Sequence, residues 1–356
     1  MSGPLSDEAM SKLAALNGKN VLVTGGCGFL GRHLVELLLD CGANVRVFDL
    51  FITEYSEDVE FVKGNLLNLS EVEAATKGCW AVFHVASPSP TSGNAKLFFS
   101  VNVDGTQNVI DACRSQNVGR LVYTSSASIV FDGTDQKNFD ESAPFPLKSL
   151  DAYTKSKLAA EQLALKDCAP SNPLAVCAMR PHSIFGPRDP HFVPSLARAG
   201  REGKSRYIIG NGENIVDFTY VGNVTYAHAL AAVHLSPDSK VNGEAYFITN
   251  DEPVKFWDFV SDVQVSLGFT KPWLKLPYLL MYAMAYLLSF ITAVFPSFRP
   301  VFNLQSVSYA GCHHYYTCAK AKDHFGYVPA VSLKEAKRRN LEHFEYLHAS
   351  KPPPLK

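Results

Sequence analysis

The chain has 356 residues, of which 47% are hydrophobic and 19% charged, and a formal net charge of -1. This balance supports a large folded core, excludes intrinsic disorder, and lacks the basic excess that nucleic-acid binding requires. The length suits one large α/β domain with a smaller appended part.

Residues 1–18 are polar, without the apolar run of a cleaved signal peptide, and read as a tail or short lead-in helix. From Asn20 short apolar runs alternate with helical stretches. Val21–Thr24 is a buried-strand run, Phe29–Leu39 has helical spacing, and Asn44–Phe48 is again β-type. Another β run covers Trp80–Val85, a helix Leu97–Cys113, a strand Leu121–Thr124, a helix Tyr153–Ala164 and a strand Leu174–Met179. This alternation implies βαβ units in a parallel sheet. Beyond Gly186 it weakens as Pro and Gly rise, marking a second, smaller part. The eight cysteines form no CxxC pair, so we expect no metal site and reduced thiols in a cytosol-facing protein.

The first strand runs into Thr24-Gly-Gly-Cys-Gly-Phe-Leu-Gly31. Gly25, Gly28 and Gly31 keep the spacing of a dinucleotide-binding turn, which allows a tight turn, close approach of a pyrophosphate, and close helix–strand packing. The helix opening at Phe29 and Leu30 would present free N–H groups to the phosphates. The second strand ends in Asp49, whose carboxylate suits the adenosine ribose hydroxyls and repels a 2′-phosphate. Leu50 and Phe51 follow, with no Arg or Lys to hold that phosphate, so NAD is the expected cofactor. Asn65 and Leu66, after the third strand, are expected beside the adenine. Ala86, in His84-Val-Ala-Ser87, is expected to pass along the cofactor. His84 itself reads as structural.

Tyr153-Thr-Lys-Ser-Lys157 places a phenol and an ammonium on one helix face. A nearby cation favours the phenolate and is expected to draw the Tyr153 pKa toward working pH. One βα unit earlier, Thr124-Ser-Ser126 offers hydroxyls at a strand's C-terminal end, where ligands bind in open α/β sheets.

Together these features resemble the extended short-chain dehydrogenase/reductase family. The carrying strings are TGGCGFLG (Thr24–Gly31), VNVDGTQNV (Val101–Val109), YTSSAS (Tyr123–Ser128), YTKSK, RPHSIFGP (Arg180–Pro187) and GYVP (Gly326–Pro329). The resemblance implies a Rossmann-type doubly wound sheet over residues 19–185 and a substrate-binding part over 186–272 with some segments returning to that sheet. It makes Tyr153 the general acid/base, Lys157 its partner, Ser126 rather than Ser125 the substrate-oxygen donor, and Asn102 a support for the lysine. It adds Pro181 to the cofactor contacts and suggests a homodimer.

Two features address the substrate. Sugar-nucleotide members usually carry Arg before the residue matching Asp217, where this chain has Val216. YVGNV (Tyr220–Val224) followed by Ala227-His228 is similar to the 3β-hydroxysteroid branch. Within that branch, Arg180–Pro190, Ile209–Phe218 and His314-Tyr-Tyr316 resemble members that oxidise a sterol bearing a carboxylate beside its 3β-hydroxyl, releasing carbon dioxide. A 3β-hydroxysteroid dehydrogenase without decarboxylation is the alternative. Arg188 is the candidate partner for the substrate carboxylate. The second feature is Leu276–Phe298, an uncharged stretch bounded by Lys275 and Arg299. With its Tyr278, Tyr282 and Tyr286 stripe it reads as a membrane-associated segment over 273–299, spanning or lying in one leaflet, ahead of a C-terminal part at 300–356. The resemblance implies endoplasmic reticulum membrane and lipid droplets, with a sterol C4-methyl oxidase and a 3-ketosteroid reductase as pathway partners.

Overall fold

β1 (Asn20–Thr24) and β2 (Asn44–Asp49) form where Val-rich runs suit a buried pleated surface. β3 (Val59–Lys63), β4 (Ala81–His84), β5 (Arg120–Thr124), β6 (Ala175–Pro181) and β7 (Ala245–Ile248) complete a seven-stranded sheet. The structure is a computed structural model that describes residues 5–147, 149–295 and 302–352. The strand order is β7-β6-β5-β4-β1-β2-β3, with every neighbouring pair parallel. A parallel sheet is covered on both faces, and β4 and β6 are accordingly buried at every position. Val21 and Val23 face a core shared with the helices Phe29–Asp40 and Val221–His234. Leu22 faces the opposite core, built from Leu69–Thr76, Gly105–Ser115 and Ala152–Ala164. The order reverses between β1 and β4, and this switch point opens a crevice at the strands' C-terminal ends.

Three sequence expectations are refined. Of the lead-in, the described residues take the helical reading: Asp7–Ser11 is a helix capped by Ser6, and Leu13 and Leu16 are fully buried. The Leu97–Cys113 helix is present but interrupted, Ala95–Phe99 and Gly105–Ser115 being joined by a π turn at Ser100–Asp104. The segment that returns to the main sheet is β7, which pairs with β6 from Ala245↔Ala178 to Ile248↔Pro181.

A second sheet gathers four distant pieces in the order Val254–Lys255, Ile215–Val216, His314–Tyr316, Gln136–Phe139. It ties the late chain to the segment just after β5. Leu274–Leu276 pairs with Tyr207–Ile209 and leads into an apolar helix, Tyr278–Val294. Met281 and Ala285 of this helix pack on Val307 of the next helix, Leu304–Gly311. Its other sides leave Leu279, Leu280, Tyr286, Leu287 and Phe290 more than half exposed. Among the described residues no helix is long and apolar enough to cross a membrane. The end of the expected segment, from Pro296 to Arg299, lies outside the described residues.

Candidate active site

The glycine loop joins β1 to the helix Phe29–Asp40. Gly25 has φ +72, and a Cβ there would lie 2.6 Å from Ala86 Cα, so the loop is pressed against the end of β4. A Cβ on Gly31 would sit 2.1 Å from the Gly25 carbonyl oxygen, which fixes the close helix–turn contact. Gly28, the helix N-cap, is exposed and a Cβ there would meet only Gly25 O, at 3.2 Å. The space before the helix is therefore open, and the N–H groups of its first turn, starting at Phe29 and Leu30, line it. Asp49 ends β2 beside this loop and accepts the Cys27 N–H at 3.1 Å and the Phe51 N–H at 3.3 Å. Asn65, just past β3, is exposed, and its N–H donates to Glu71 at 2.7 Å, whereas Leu66 is buried against Gly105. Ala86 N–H reaches Thr24 Oγ1 at 3.4 Å, and Pro181 closes β6. These residues fit a dinucleotide: an open glycine turn, a helix N-terminus, and a carboxylate at the second strand.

Asp151 caps the helix Ala152–Ala164, accepting the Thr154 N–H at 2.8 Å. Two residues on, Tyr153 is partly exposed as a residue and packs its ring edge-on against Phe98, with ring centroids 5.5 Å apart. Lys157, one turn further, is buried and donates to the Thr124 carbonyl at 2.8 Å, its ammonium 5.1 Å from the Tyr123 ring centre. Burial lowers its pKa from 10.5 to about 7, against the opposing pull of the Glu161 carboxylate. The expectation that Lys157 draws the Tyr153 phenol down is corrected. Burial prevails and pushes that phenol up to about 12, with Ser87 opposing and Asp151 adding to the rise.

Asn102 sits in the π turn, where its amide donates to Ser156 Oγ and its carbonyl oxygen accepts from Ser87 Oγ, both at 2.9 Å. It thus links Ser87 to Ser156 on the helix that carries Tyr153, and among the described residues Lys157 is not one of its hydrogen-bond partners. A π turn here re-aims one side chain within an otherwise regular helix. Ser126 is partly exposed, while Ser125 is buried with its hydroxyl unpartnered. Ser126 Oγ accepts the Ser128 N–H at 3.2 Å and lies 2.8 Å from Ser128 Oγ.

Other predicted residues lie elsewhere. Arg188 does not reach the site. Both terminal nitrogens bond Glu36 at 2.7 Å, and the guanidinium also touches His33. A substrate carboxylate would have to displace that two-pronged pair, so Arg188 is corrected to a clamp between the post-β6 loop and the glycine-loop helix. His84 is buried between Thr24 Oγ1 at 2.7 Å and Thr106 Oγ1 at 3.0 Å, and burial pushes it down to about 3, so it is a neutral structural pin. Asp217 is buried and accepts the Tyr316 N–H at 2.7 Å, fastening the second sheet. His228 joins Thr124 Oγ1 to its own helix through Val224 O.

Three neighbours carry no sequence signal. Ser87 and Ser128 are ordinary loop serines by pattern, and Tyr309 stands on the distant helix Leu304–Gly311. Burial pushes the Tyr309 phenol up, with the charges of Asp151 and Tyr153 adding to the rise, and its ring packs on Phe131 and His314 at 4.9 and 5.0 Å. Gln305 of the same helix donates to Asp151 at 2.6 Å.

A glycine turn at the switch point, with Ser126, Tyr153 and Lys157 across the crevice, defines a dehydrogenase of the extended short-chain class. The family model described as 3-beta hydroxysteroid dehydrogenase/isomerase matches residues 22–278, and the chain belongs to that family. It is 45% identical to the sterol-4-alpha-carboxylate 3-dehydrogenase, decarboxylating, of Mus musculus, over 94% of this chain and 93% of that protein. It is 42% identical to the 3beta-hydroxysteroid-dehydrogenase/decarboxylase isoform 1 of Arabidopsis thaliana, over 93% and 81%. Among solved structures it resembles the Thermus thermophilus UDP-glucose 4-epimerase complex with NAD, with TM-score 0.68, 26% identity, and coverage of 91% and 98%.

Proposed function

We propose that the chain oxidises the 3β-hydroxyl of 4α-carboxysterols with NAD and releases the C4 carboxylate as carbon dioxide, a step in sterol C4 demethylation. The observation that carries this reading is the near-full-length likeness to decarboxylating sterol dehydrogenases in a chain that keeps Tyr153, Lys157 and Ser126 together. The glycine turn and Asp49 would hold the cofactor, and bound NAD supplies the hydride acceptor. Ser126 would donate to the substrate's 3-oxygen. Tyr153 takes the hydroxyl proton, and Lys157 holds positive charge beside it. Oxidation leaves a 3-ketone with a carboxylate on the adjacent carbon. The C4–carboxylate bond then breaks, and its electron pair forms the enolate that Ser126 and Tyr153 face. The proton that Tyr153 removed is returned to the enolate, so the overall reaction neither takes up nor releases a proton.

We further propose that the apolar helix lies in the surface of the endoplasmic reticulum membrane or of lipid droplets, with the catalytic domain on the cytosolic side. Its 17 residues reach about 26 Å at roughly 1.5 Å each, short of a bilayer core of about 30 Å. The exposed Leu279, Leu280, Leu287 and Phe290 support an in-plane placement, where a sterol would enter from the same lipid. A homodimer and pathway contacts with a sterol C4-methyl oxidase and a 3-ketosteroid reductase belong to the same reading.

The test uses detergent-solubilised protein with a 4α-carboxysterol and NAD, measuring NADH and carbon dioxide together, with Tyr153→Phe as control. Equal amounts of both, lost in the variant, support the reading. NADH without carbon dioxide would replace it with a 3β-hydroxysteroid dehydrogenase that does not decarboxylate.

A further inference from the structure

The general base stands in the part of its helix that holds least firmly. Tyr153 is the second residue of Ala152–Ala164, whereas Lys157, one turn on, is buried and anchored to the Thr124 carbonyl at 2.8 Å. Helix ends fray, so the phenol keeps a fixed position relative to the lysine only while the first turn stays wound. That turn depends on Asp151, whose carboxylate takes the Thr154 N–H at 2.8 Å and the Thr154 hydroxyl at 2.9 Å. The chain before it offers no regular support: between Gln136–Phe139 and Ala152 there is neither helix nor strand among the described residues. Among those residues the carboxylate has one hydrogen-bond partner outside its own helix, the Gln305 amide, which donates to Oδ2 at 2.6 Å. A carboxylate only accepts, so the contact fixes the amide with its N–H groups toward Asp151. Gln305 itself stands on a firm base. Its helix, Leu304–Gly311, opens with a capping box between Asn303 and Ser306, packs Val307 on Met281 and Ala285, and has its Ala310 carbonyl bonded by the Trp257 indole N–H at 2.9 Å.

We propose that Gln305 is a positioning residue for the dehydrogenation step: through Asp151 it holds the first turn of the catalytic helix, and with it the Tyr153 phenol, in the place from which the hydroxyl proton is taken. The role rests on the proposed function for the identity of the substrate. Proton removal needs the phenol within hydrogen-bond reach of the 3-oxygen while Ser126 holds the same atom, and a misplacement of about 1 Å can cost about a hundredfold in rate. Binding of NAD makes a smaller demand on this turn, because the glycine loop and Asp49 stand on other elements. Releasing the Asp151 carboxylate from Gln305 should therefore slow hydride transfer and leave the affinity for NAD nearly intact.

The experiment follows a single turnover of the full, detergent-solubilised protein with NAD and a 4α-carboxysterol, reading NADH and carbon dioxide, alongside calorimetric titration with NAD. Gln305→Met keeps the length of the side chain and removes the donor. We expect its NADH formation to be about tenfold slower, with the NAD dissociation constant within about twofold of wild type. Gln305→Glu sets two carboxylates face to face and should be slower still. Adding Asp151→Asn to Gln305→Glu exchanges donor and acceptor across the same gap. Asn caps a helix about as well as Asp, so this double change should recover to within about threefold of wild type. NADH formation within about threefold of wild type in Gln305→Met overturns the role of Gln305. So does a loss of NAD affinity as large as the loss of rate, or a rate that the double change does not restore. A wild type that makes NADH without carbon dioxide overturns the decarboxylating reading alone, and one that makes no NADH overturns both.

Discussion

Replacing Lys157 with Met should make the nucleotide-free protein more stable while removing its activity. The amine titrates near 10.5 when free and near 7 in the folded chain. Between those values the unfolded state binds more protons, so the penalty for burying the charge is full below pH 7 and is relieved as pH rises toward 10.5. At roughly 1.4 kcal/mol per pH unit, the displacement destabilises the fold by about 4 kcal/mol at pH 7. Met removes that penalty but leaves the Thr124 carbonyl without its 2.8 Å partner, a loss of about 1 kcal/mol. The net gain is about 3 kcal/mol at pH 7, vanishing near pH 10. Urea unfolding of both proteins over this pH range measures it. Activity should fall roughly a hundredfold to ten-thousandfold, the usual span for proton-transfer groups. A variant less stable than wild type at pH 7, or a stability difference insensitive to pH, would refute the account of Lys157 as a destabilising buried charge.

Three more predictions test the surrounding frame. Gly31→Ala forces a methyl to within 2.1 Å of the Gly25 carbonyl oxygen, so it should lose about 2 kcal/mol or more in thermal unfolding together with NAD binding by calorimetry. Glu161→Gln strands Arg180, which lies buried in a two-pronged pair with that carboxylate, and should lose about 3–5 kcal/mol, whereas a double change of both residues to Met should be far milder; unfolding of the three variants decides this. Asp49→Ser removes the charge beside the glycine loop and should raise the NADP-to-NAD ratio of kcat/KM by about tenfold or more in steady-state kinetics, while an unchanged ratio would exclude Asp49 as the discriminator.

Sequence spacing carries the parts of this site that are local. The glycine triplet, the carboxylate ending β2, and the Tyr153–Lys157 pair each lie within one turn or one helix face, where periodicity fixes geometry. Contacts that depend on distant packing are not legible in this way. Tyr309 packs on Phe131, 178 positions earlier, where the second sheet carries His314–Tyr316 back to Gln136–Phe139, and Gln305 reaches Asp151 across 154 positions. Arg188 misled for a related reason: a cation just past β6 is well placed in sequence, but Glu36 on another helix claims it. The phenol of Tyr153 shows a third kind of limit, since burial overrides the one-turn proximity of its lysine.

The origin of β7 has a consequence for how the chain acquires its shape. β6 is seven residues long and buried throughout, yet its outer neighbour is supplied by Ala245–Ile248, more than sixty positions later. A ribosome that has released only the first 185 residues has made every part of the nucleotide turn and the catalytic helix, but leaves β6 as a bare hydrophobic edge. Such an edge templates association with other chains. The nascent dinucleotide half is therefore adhesive until the following part emerges. Expression of residues 1–185 alone should give aggregates, whereas a fragment extended through β7 caps its own sheet.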